Sequence, residues 1–314
     1  MGKIAFVFAG QGDQYPGMGK ILAEQYVCAA NVFEMCDRLR PGTLKQCFAG
    51  TEEELKETKN TQPCLYAMEL AAVKVLEGAG IRPDVVAGFS LGEVVACTAA
   101  GVVDEETGFE LVCKRGELMQ QAAEQFDTSM AAVVKLPQDK VEELCRKFEH
   151  VYPVNFNCPG QITVAGLSAE MQAFSAEVKA AGGRAIPLKV KGGFHSPFMR
   201  EATDAFAIEL AKVTLQNPEM TLYSNVTAFP YGTPVQNDVS MQSNDRNTAK
   251  LLSQQICSPV RWENIIRNMI ADGVDTFIEI GPGKTLTNMM GKIDSTVKAY
   301  CVSDLETILA EVKV

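Results

Sequence analysis

The segment Gly88-Phe89-Ser90-Leu91-Gly92 constrains this chain more than any other stretch. It stands between a short apolar run, Pro83 to Ala87, and a small-residue helical run, Glu93 to Ala100. G-x-S-x-G at a strand-to-helix junction forces a sharp turn with serine at its apex. The flanking glycines carry no side chain to clash there, and the turn strains the residue it presents. The following helix points free N–H groups toward the serine, where they stabilise negative charge. Ser90 is therefore the candidate nucleophile of an acyl-transfer reaction, the plainer alternative being a serine that only caps a helix.

The rest of the first half fits such a scaffold. Ile4 to Ala9 reads as a buried strand, and the loop Gly10 to Gly19 leads into a helix over 20–39. Residues 62–79 have helical spacing and end at Gly78 and Gly80, and 105–122 reads as a further helix. Strands alternating with helices imply parallel pairing in an α/β layer architecture. The pattern changes near residue 127. Strand 130–136, helix 138–149, strands 151–156 and 161–166, helix 168–181 and strand 185–190 follow in turn. That β-α-β-β-α-β order is the ferredoxin-like arrangement, expected as a small domain over 128–191. The α/β character resumes after 192, with a strand over 276–280, so the large domain is expected to comprise 1–127 plus 192–314. Gly232 to Thr248 is polar and reads as a long surface loop.

A serine needs a base, because its own pKa is too high for alkoxide formation at neutral pH. The chain has only two histidines. His150 follows a charged helical run and reads as solvated. His195 lies in Gly192-Gly193-Phe194-His195-Ser196-Pro197, a loop that opens a helix at Pro197, and is the expected base. The backbone N–H of Leu91 supplies one oxyanion donor in the usual elbow geometry. The turn Gly10-Gln11-Gly12 is placed to supply a second. It lacks the G-K-[ST] of a phosphate loop, so a nucleotide site is rejected there.

Composition excludes other classes. A net charge of -10 with pI near 4.9 argues against nucleic-acid or anionic-membrane surfaces. No apolar run approaches the roughly 18 residues of a membrane span, and the N-terminal stretch reads as a strand and not a targeting peptide. Ten scattered cysteines without a C-x-x-C pair are expected as reduced thiols in a cytoplasmic protein. With two isolated histidines, no metal site is expected.

Seven blocks in order carry a resemblance. They are Phe8-Ala9-Gly10-Gln11-Gly12, Gly88-Phe89-Ser90-Leu91-Gly92-Glu93, Lys114-Arg115-Gly116-Glu117-Leu118-Met119-Gln120 and Asn155-Phe156-Asn157-Cys158-Pro159-Gly160-Gln161. Gly193-Phe194-His195-Ser196-Pro197, Gln255 with Ser258-Pro259-Val260-Arg261-Trp262, and Glu279-Ile280-Gly281-Pro282-Gly283 complete them. The chain resembles the malonyl-CoA:acyl-carrier-protein transacylase family over essentially its whole length. The resemblance implies an α/β-hydrolase-like large domain interrupted by the ferredoxin-like small one, with the site between them. It implies that malonyl-CoA acylates Ser90, that His195 moves the proton and that Gln255 orients His195 through a carbonyl oxygen. It further implies that Gln11 and Leu91 hold the oxyanion and that Arg115 clamps the free malonyl carboxylate. Phe194 would narrow the pocket, and Asn157 would contact the acyl or pantetheine part. No cofactor is implied beyond the two substrates, malonyl-CoA and phosphopantetheinylated acyl carrier protein, and a monomer is expected.

A guanidinium fork matches a carboxylate on physical grounds too, and an acetyl group would leave it unpaired. One departure stands out: Phe89 occupies a position where the family commonly has histidine, so any polar contact made there is lost. Arg184, Lys189, Lys191, Lys284 and Lys292 are the basic candidates for docking an acidic carrier. A free-standing polyketide acyltransferase, a serine esterase or thioesterase, and a non-catalytic carrier-binding scaffold are the alternatives.

Overall fold

The computed structural model describes residues 2–233 and 244–312. In chain order the strands are β1 (Lys3–Phe8), β2 (Val85–Gly88), β3 (Thr128–Val134), β4 (Val151–Cys158), β5 (Gln161–Leu167), β6 (Arg184–Pro187), β7 (Thr221–Tyr223), β8 (Val274–Ile280) and β9 (Lys298–Cys301). The helices of the first half are α1 (Lys20–Gln25), α2 (Val27–Leu39), α3 (Thr43–Ala49), α4 (Glu52–Lys56), α5 (Thr58–Gly78), α6 (Leu91–Ala99) and α7 (Glu105–Ala123). Those of the second half are α8 (Gln138–Cys145), α9 (Ser168–Ala180), α10 (Arg200–Leu210), α11 (Asn244–Gln254), α12 (Trp262–Ala271), α13 (Thr285–Ile293) and α14 (Leu305–Glu311).

Two sheets organise the molecule. The first is five-stranded and parallel throughout, in the order β7-β2-β1-β8-β9. β1 from Ile4 onward and β2 are continuous apolar runs, as a sheet covered on both faces requires. Phe6 and Phe8 of β1 face one buried cluster, and Ala5 and Val7 face another. The second sheet is four-stranded and antiparallel, in the order β4-β5-β3-β6. It has its own core, where Val133 and Val164 meet Val141 of α8 and Phe174 of α9. A short bridge ties the two parts: Phe156 N–H donates to the Val260 carbonyl at 2.9 Å, and Val260 N–H to that of Val154 at 2.9 Å.

Several boundaries differ from the sequence reading. The helix expected over 20–39 is broken at Tyr26, whose backbone is extended. The first piece buries nothing, while the second seats Ala29, Val32, Phe33 and Cys36 in the core, so packing chose the break. The helix expected over 138–149 stops at Cys145, its last buried residue. The strand expected over 185–190 is regular only over Arg184–Pro187, with one further bond from Leu188 N–H to the Met130 carbonyl at 2.9 Å. Of the loop expected over 232–248, residues 234–243 lie outside those described, and the part from Asn244 onward is helical. No helix among the described residues is long and apolar enough to cross a membrane.

Candidate active site

The elbow follows from close packing of the two edges that meet at it. β2 runs beside β1 and delivers the chain to Ser90, where φ is 56° and ψ is -107°. A Cβ on Gly88 would overlap the Gly92 carbonyl carbon, and one on Gly92 would overlap the Phe8 carbonyl oxygen. Both glycines are therefore required by space. Asn225 fastens the turn, with its Oδ1 accepting from Ser90 N–H at 2.8 Å and its Nδ2 donating to the Gly88 carbonyl at 2.6 Å. A strained serine held on both sides is pre-organised, since the turn cannot relax without breaking those bonds.

His195 reaches the same point from the loop before α10, again with a positive φ of 61°. Its Nε2 lies 2.7 Å from Ser90 Oγ, and its Nδ1 lies 2.9 Å from the main-chain carbonyl oxygen of Gln255. A carbonyl oxygen can only accept, so Nδ1 carries the hydrogen and Nε2 is left to accept the serine proton. Burial, and then the nearby Arg115 charge, pull the imidazole pKa down to about 4. The ring is thus neutral at physiological pH, the form a general base needs.

Arg115, on α7, is 1% exposed. Its Nη1 donates to Gln62 Oε1 at 2.7 Å, and its Nη2 donates to Gln255 Oε1 at 2.6 Å and to Ser90 Oγ at 3.2 Å. Its Nε is buried without a hydrogen-bond partner. Burial lowers the guanidinium pKa to about 10, still well above neutrality. A cation is therefore held beside the nucleophile with a donor to spare.

Gln255 sits in a short 3₁₀ turn after α11 and uses both ends of its amide. Nε2 donates to the Ser90 carbonyl at 2.5 Å and to Glu93 Oε2 at 2.8 Å, opposite the Arg115 bond. Gln62, Glu93, Asn225 and Tyr231 belong to this constellation and were not singled out in the sequence. Glu93 had a visible signal, an acid in an otherwise small and apolar helical run, as did Gln62 at the head of an apolar helix.

A cavity of about 80 Å³ opens over Ser90, with Gln11, Leu91, Arg115, Phe194 and His195 among its lining. Among the described residues, the N–H groups of Gln11 and Leu91 make no hydrogen bond, while that of Ser90 is taken by Asn225. The Gln11 side-chain oxygen accepts from Thr58 Oγ1 at 3.2 Å. An adjoining groove of about 190 Å³ shares Gln11, Phe89, Asn155 and Leu188 with the first and runs along the antiparallel sheet. Asn157 lines the groove and not the cavity over Ser90, so it stands apart from the reacting centre. Its Nδ2 donates to Thr163 Oγ1 at 3.2 Å, and its Oδ1 is buried and unpartnered, as is that of Asn155. Phe89 packs edge-on to Trp262 at 5.5 Å between ring centres.

The remaining candidates lie outside the site. His150 contacts Glu170 through Nδ1 at 2.9 Å, is partly exposed and lines neither the cavity over Ser90 nor the adjoining groove. Arg184, Lys189 and Lys191 are exposed, Lys284 pairs with Asp304 at 3.4 Å, and Lys292 donates to Gln161 at 3.3 Å. All ten cysteines are unpaired. Among the described residues no group of three or more His, Cys, Asp or Glu side chains is arranged to hold a metal.

A parallel sheet that presents a strained serine to a neutral histidine, beside a buried cation, defines an enzyme of acyl transfer. The chain belongs to the family described as acyl transferase domain, which it matches over residues 5–307. It is 38% identical over 314 residues to the malonyl CoA-acyl carrier protein transacylase of Bacillus subtilis, covering 98% of this chain and 96% of that protein. The Escherichia coli K12 protein of the same name is 34% identical over 316 residues, with 99% of each chain covered. The crystal structure of malonyl CoA-acyl carrier protein transacylase from Clostridium perfringens superposes with a TM-score of 0.91 at 34% identity, covering 99% of this chain and 97% of that one. A malonyl-transacylase in complex with its type II PKS acyl-carrier protein superposes with a TM-score of 0.90 at 32% identity, covering 98% of both chains.

Proposed function

We propose that this enzyme moves a malonyl group from malonyl-CoA to the phosphopantetheine thiol of acyl carrier protein, supplying malonyl carrier protein for fatty acid synthesis. The single observation that carries the reading is the buried Arg115 guanidinium within 3.2 Å of the Ser90 oxygen. A hydrolase of neutral esters gains nothing from a desolvated cation there, whereas an acyl group ending in a carboxylate pairs with it. The names of the relatives point the same way.

The reaction runs in two halves. His195 Nε2 takes the Ser90 proton as Oγ attacks the thioester carbonyl, and the negative oxygen is met by the N–H groups of Gln11 and Leu91. The C–S bond breaks, and the CoA sulfur leaves with the proton from His195. The carrier thiol then gives its proton to His195 and attacks the serine ester. The new C–S bond forms, the ester C–Oγ bond breaks, and Ser90 Oγ recovers the proton from His195. Gln255 holds the imidazole through its main-chain carbonyl, and Arg115 holds the malonyl carboxylate. Phe194 closes the acyl pocket, and Asn157 and Asn155 offer amide oxygens to the pantetheine arm in the adjoining groove. No cofactor takes part.

The molecule is read as an α/β-hydrolase-like unit of residues 1–127 and 192–314, interrupted by a ferredoxin-like unit of residues 128–191. The strand order β4-β5-β3-β6 supports the second description. It is read as a cytoplasmic monomer that docks the acidic carrier on a local basic surface including Arg184, Lys189 and Lys191.

Intact-mass labelling with malonyl-, acetyl- and propionyl-CoA, followed by a chase with holo acyl carrier protein, tests the reading. The expected result is a malonyl adduct that leaves only when carrier is added. Steady loss of the adduct to water would instead define an esterase. The resemblance to the carrier-bound malonyl-transacylase makes a polyketide carrier the second acceptor to try.

A further inference from the structure

Glu93 is the third residue of α6, directly behind the elbow, and is fully buried. Its two oxygens accept three hydrogen bonds. Oε1 takes the Asn225 N–H at 3.0 Å and the Tyr231 hydroxyl at 2.6 Å, and Oε2 takes Gln255 Nε2 at 2.8 Å. Each of those residues except Tyr231 touches a reacting group in turn. Asn225 holds the Ser90 N–H, and Gln255 holds the Ser90 carbonyl, the His195 ring and the Arg115 guanidinium. The Glu93 carboxylate touches neither Ser90 nor His195 and does not line the cavity over them; only the Glu93 backbone N–H reaches Ser90, donating to its carbonyl at 3.1 Å.

The directions of these bonds matter as much as their number. The Gln255 amide has one accepting and one donating end, and Arg115 can only donate. Burial raises the Glu93 pKa to about 7, and three donors hold its ionised form, which can only accept; in that form the amide has one possible orientation between Glu93 and Arg115. We propose, on the malonyl-transfer reading above, that Glu93 is a positioning residue for acyl-group selection: it locks the Gln255 amide so that its oxygen faces Arg115 and aims the guanidinium at the incoming carboxylate.

Replacing the carboxylate by an amide of the same shape reverses that constraint. In Glu93→Gln the new side-chain oxygen is claimed by the Asn225 N–H, which cannot act as an acceptor. The NH₂ then faces Gln255, which must turn its own oxygen toward it. The Gln255 NH₂ group is left against Arg115, donor against donor, and the Ser90 carbonyl loses its side-chain donor and keeps only the residue-93 N–H.

The test compares kcat/KM for malonyl-CoA and acetyl-CoA, with a holo carrier as acceptor, in the wild type, Glu93→Gln, Glu93→Asp, Gln255→Met and Glu93→Gln/Gln255→Met. The expected Glu93→Gln enzyme is folded by circular dichroism, loses at least tenfold in malonyl transfer and loses less in acetyl transfer, so the malonyl-to-acetyl ratio falls. Glu93→Asp, which keeps the acceptor-only charge, should retain a ratio closer to that of the wild type. In the Gln255→Met background, Glu93→Gln should change the ratio by less than twofold, because the relay is already gone.

A folded Glu93→Gln enzyme with an unchanged ratio overturns the inference. So does an equal loss for both acyl groups, which is what a merely structural role gives, and so do effects of the two substitutions that multiply. If Glu93→Gln does not fold, Glu93→Ala decides. A ratio lowered in Glu93→Ala but not lowered further when combined with Gln255→Met supports the relay, and an unchanged ratio in Glu93→Ala overturns it. A wild-type enzyme that carries no malonyl overturns the transferase reading itself, whereas a competent wild type with an indifferent Glu93→Gln overturns the inference alone.

Discussion

The two walls of the cleft are built on opposite principles. The wall behind Ser90 is charged and buried. Arg115, Glu93, His195, Gln62 and Gln255 interlock so that every hydrogen-bonding atom named there except Arg115 Nε has a partner. The wall offered by the antiparallel sheet is uncharged, and Asn155 and Asn157 each keep a buried amide oxygen without a partner. A satisfied network holds its geometry before substrate arrives, which is what transition-state stabilisation needs. An unsatisfied amide costs free energy until a ligand supplies the missing donor, which is what binding needs. Chemistry is thus fixed on one wall and recognition left open on the other.

The comparison breaks first at Ser90. Ser90→Ala is expected to abolish the covalent adduct altogether, and intact mass after malonyl-CoA treatment checks it. An adduct of one malonyl unit on the variant would remove Ser90 from the mechanism. Arg115→Ala should lower malonyl kcat/KM by about 10²–10³-fold, the range for removing one partner of a buried charge pair. Acetyl transfer should hold or improve, since the desolvated cation is gone. Normal malonyl kinetics in this variant would mean that the charged wall does not select the acyl group.

The pH profile sharpens the same wall. A base must be neutral to act, so the acid limb of Ser90 acylation falls at the folded pKa of His195, about 4. An ordinary histidine near 6.5 would be about nine-tenths protonated at pH 5.5 and would lose about tenfold there. His195 is expected to lose less than about twofold between pH 7.5 and 5.5, measured as the burst rate with acetyl-CoA, which has no free carboxylate for Arg115 and so draws less on Glu93, whose pKa burial raises to about 7. A midpoint near 6.5 would show that water reaches the ring.

The smallest effect belongs to the other wall. Asn157→Ala should raise KM for malonyl-CoA about fivefold, the worth of one neutral hydrogen bond, with kcat little changed. A loss confined to kcat would place Asn157 with the chemistry instead. In each case the variant is read against the same question, whether the wall it belongs to acts before or after substrate binds.

Much of this was legible in the sequence because it is local. The elbow glycines, the alternation of strands and helices and the 128–187 run of β-α-β-β-α-β are set by contacts between near neighbours, and periodicity reports them directly. Ser90 and His195 could be paired because the chain has only two histidines. The break at Tyr26 and the helical start at Asn244 were not legible, since packing and not propensity decides where a helix ends. Arg115 had a surface arginine on the 105–122 helix as its plainer alternative, and its 1% exposure decides against that.

The sequence by itself determined the alternation of strands and helices and the turn that presents Ser90, because the glycines and spacing of a short motif admit one local geometry, and it singled out Ser90 and His195 as the candidate nucleophile and base. The tertiary structure alone decided what surrounds them. Arg115 meets Ser90 across 25 residues of chain, Asn225 meets it across 135, and Gln255 across 165. No periodicity reports such pairs. Asn225 follows β7, which runs parallel beside β2, while Arg115 and Gln255 come from a helix and a helix-to-helix turn packed over the elbow, where a buried charge must find partners or not be buried at all.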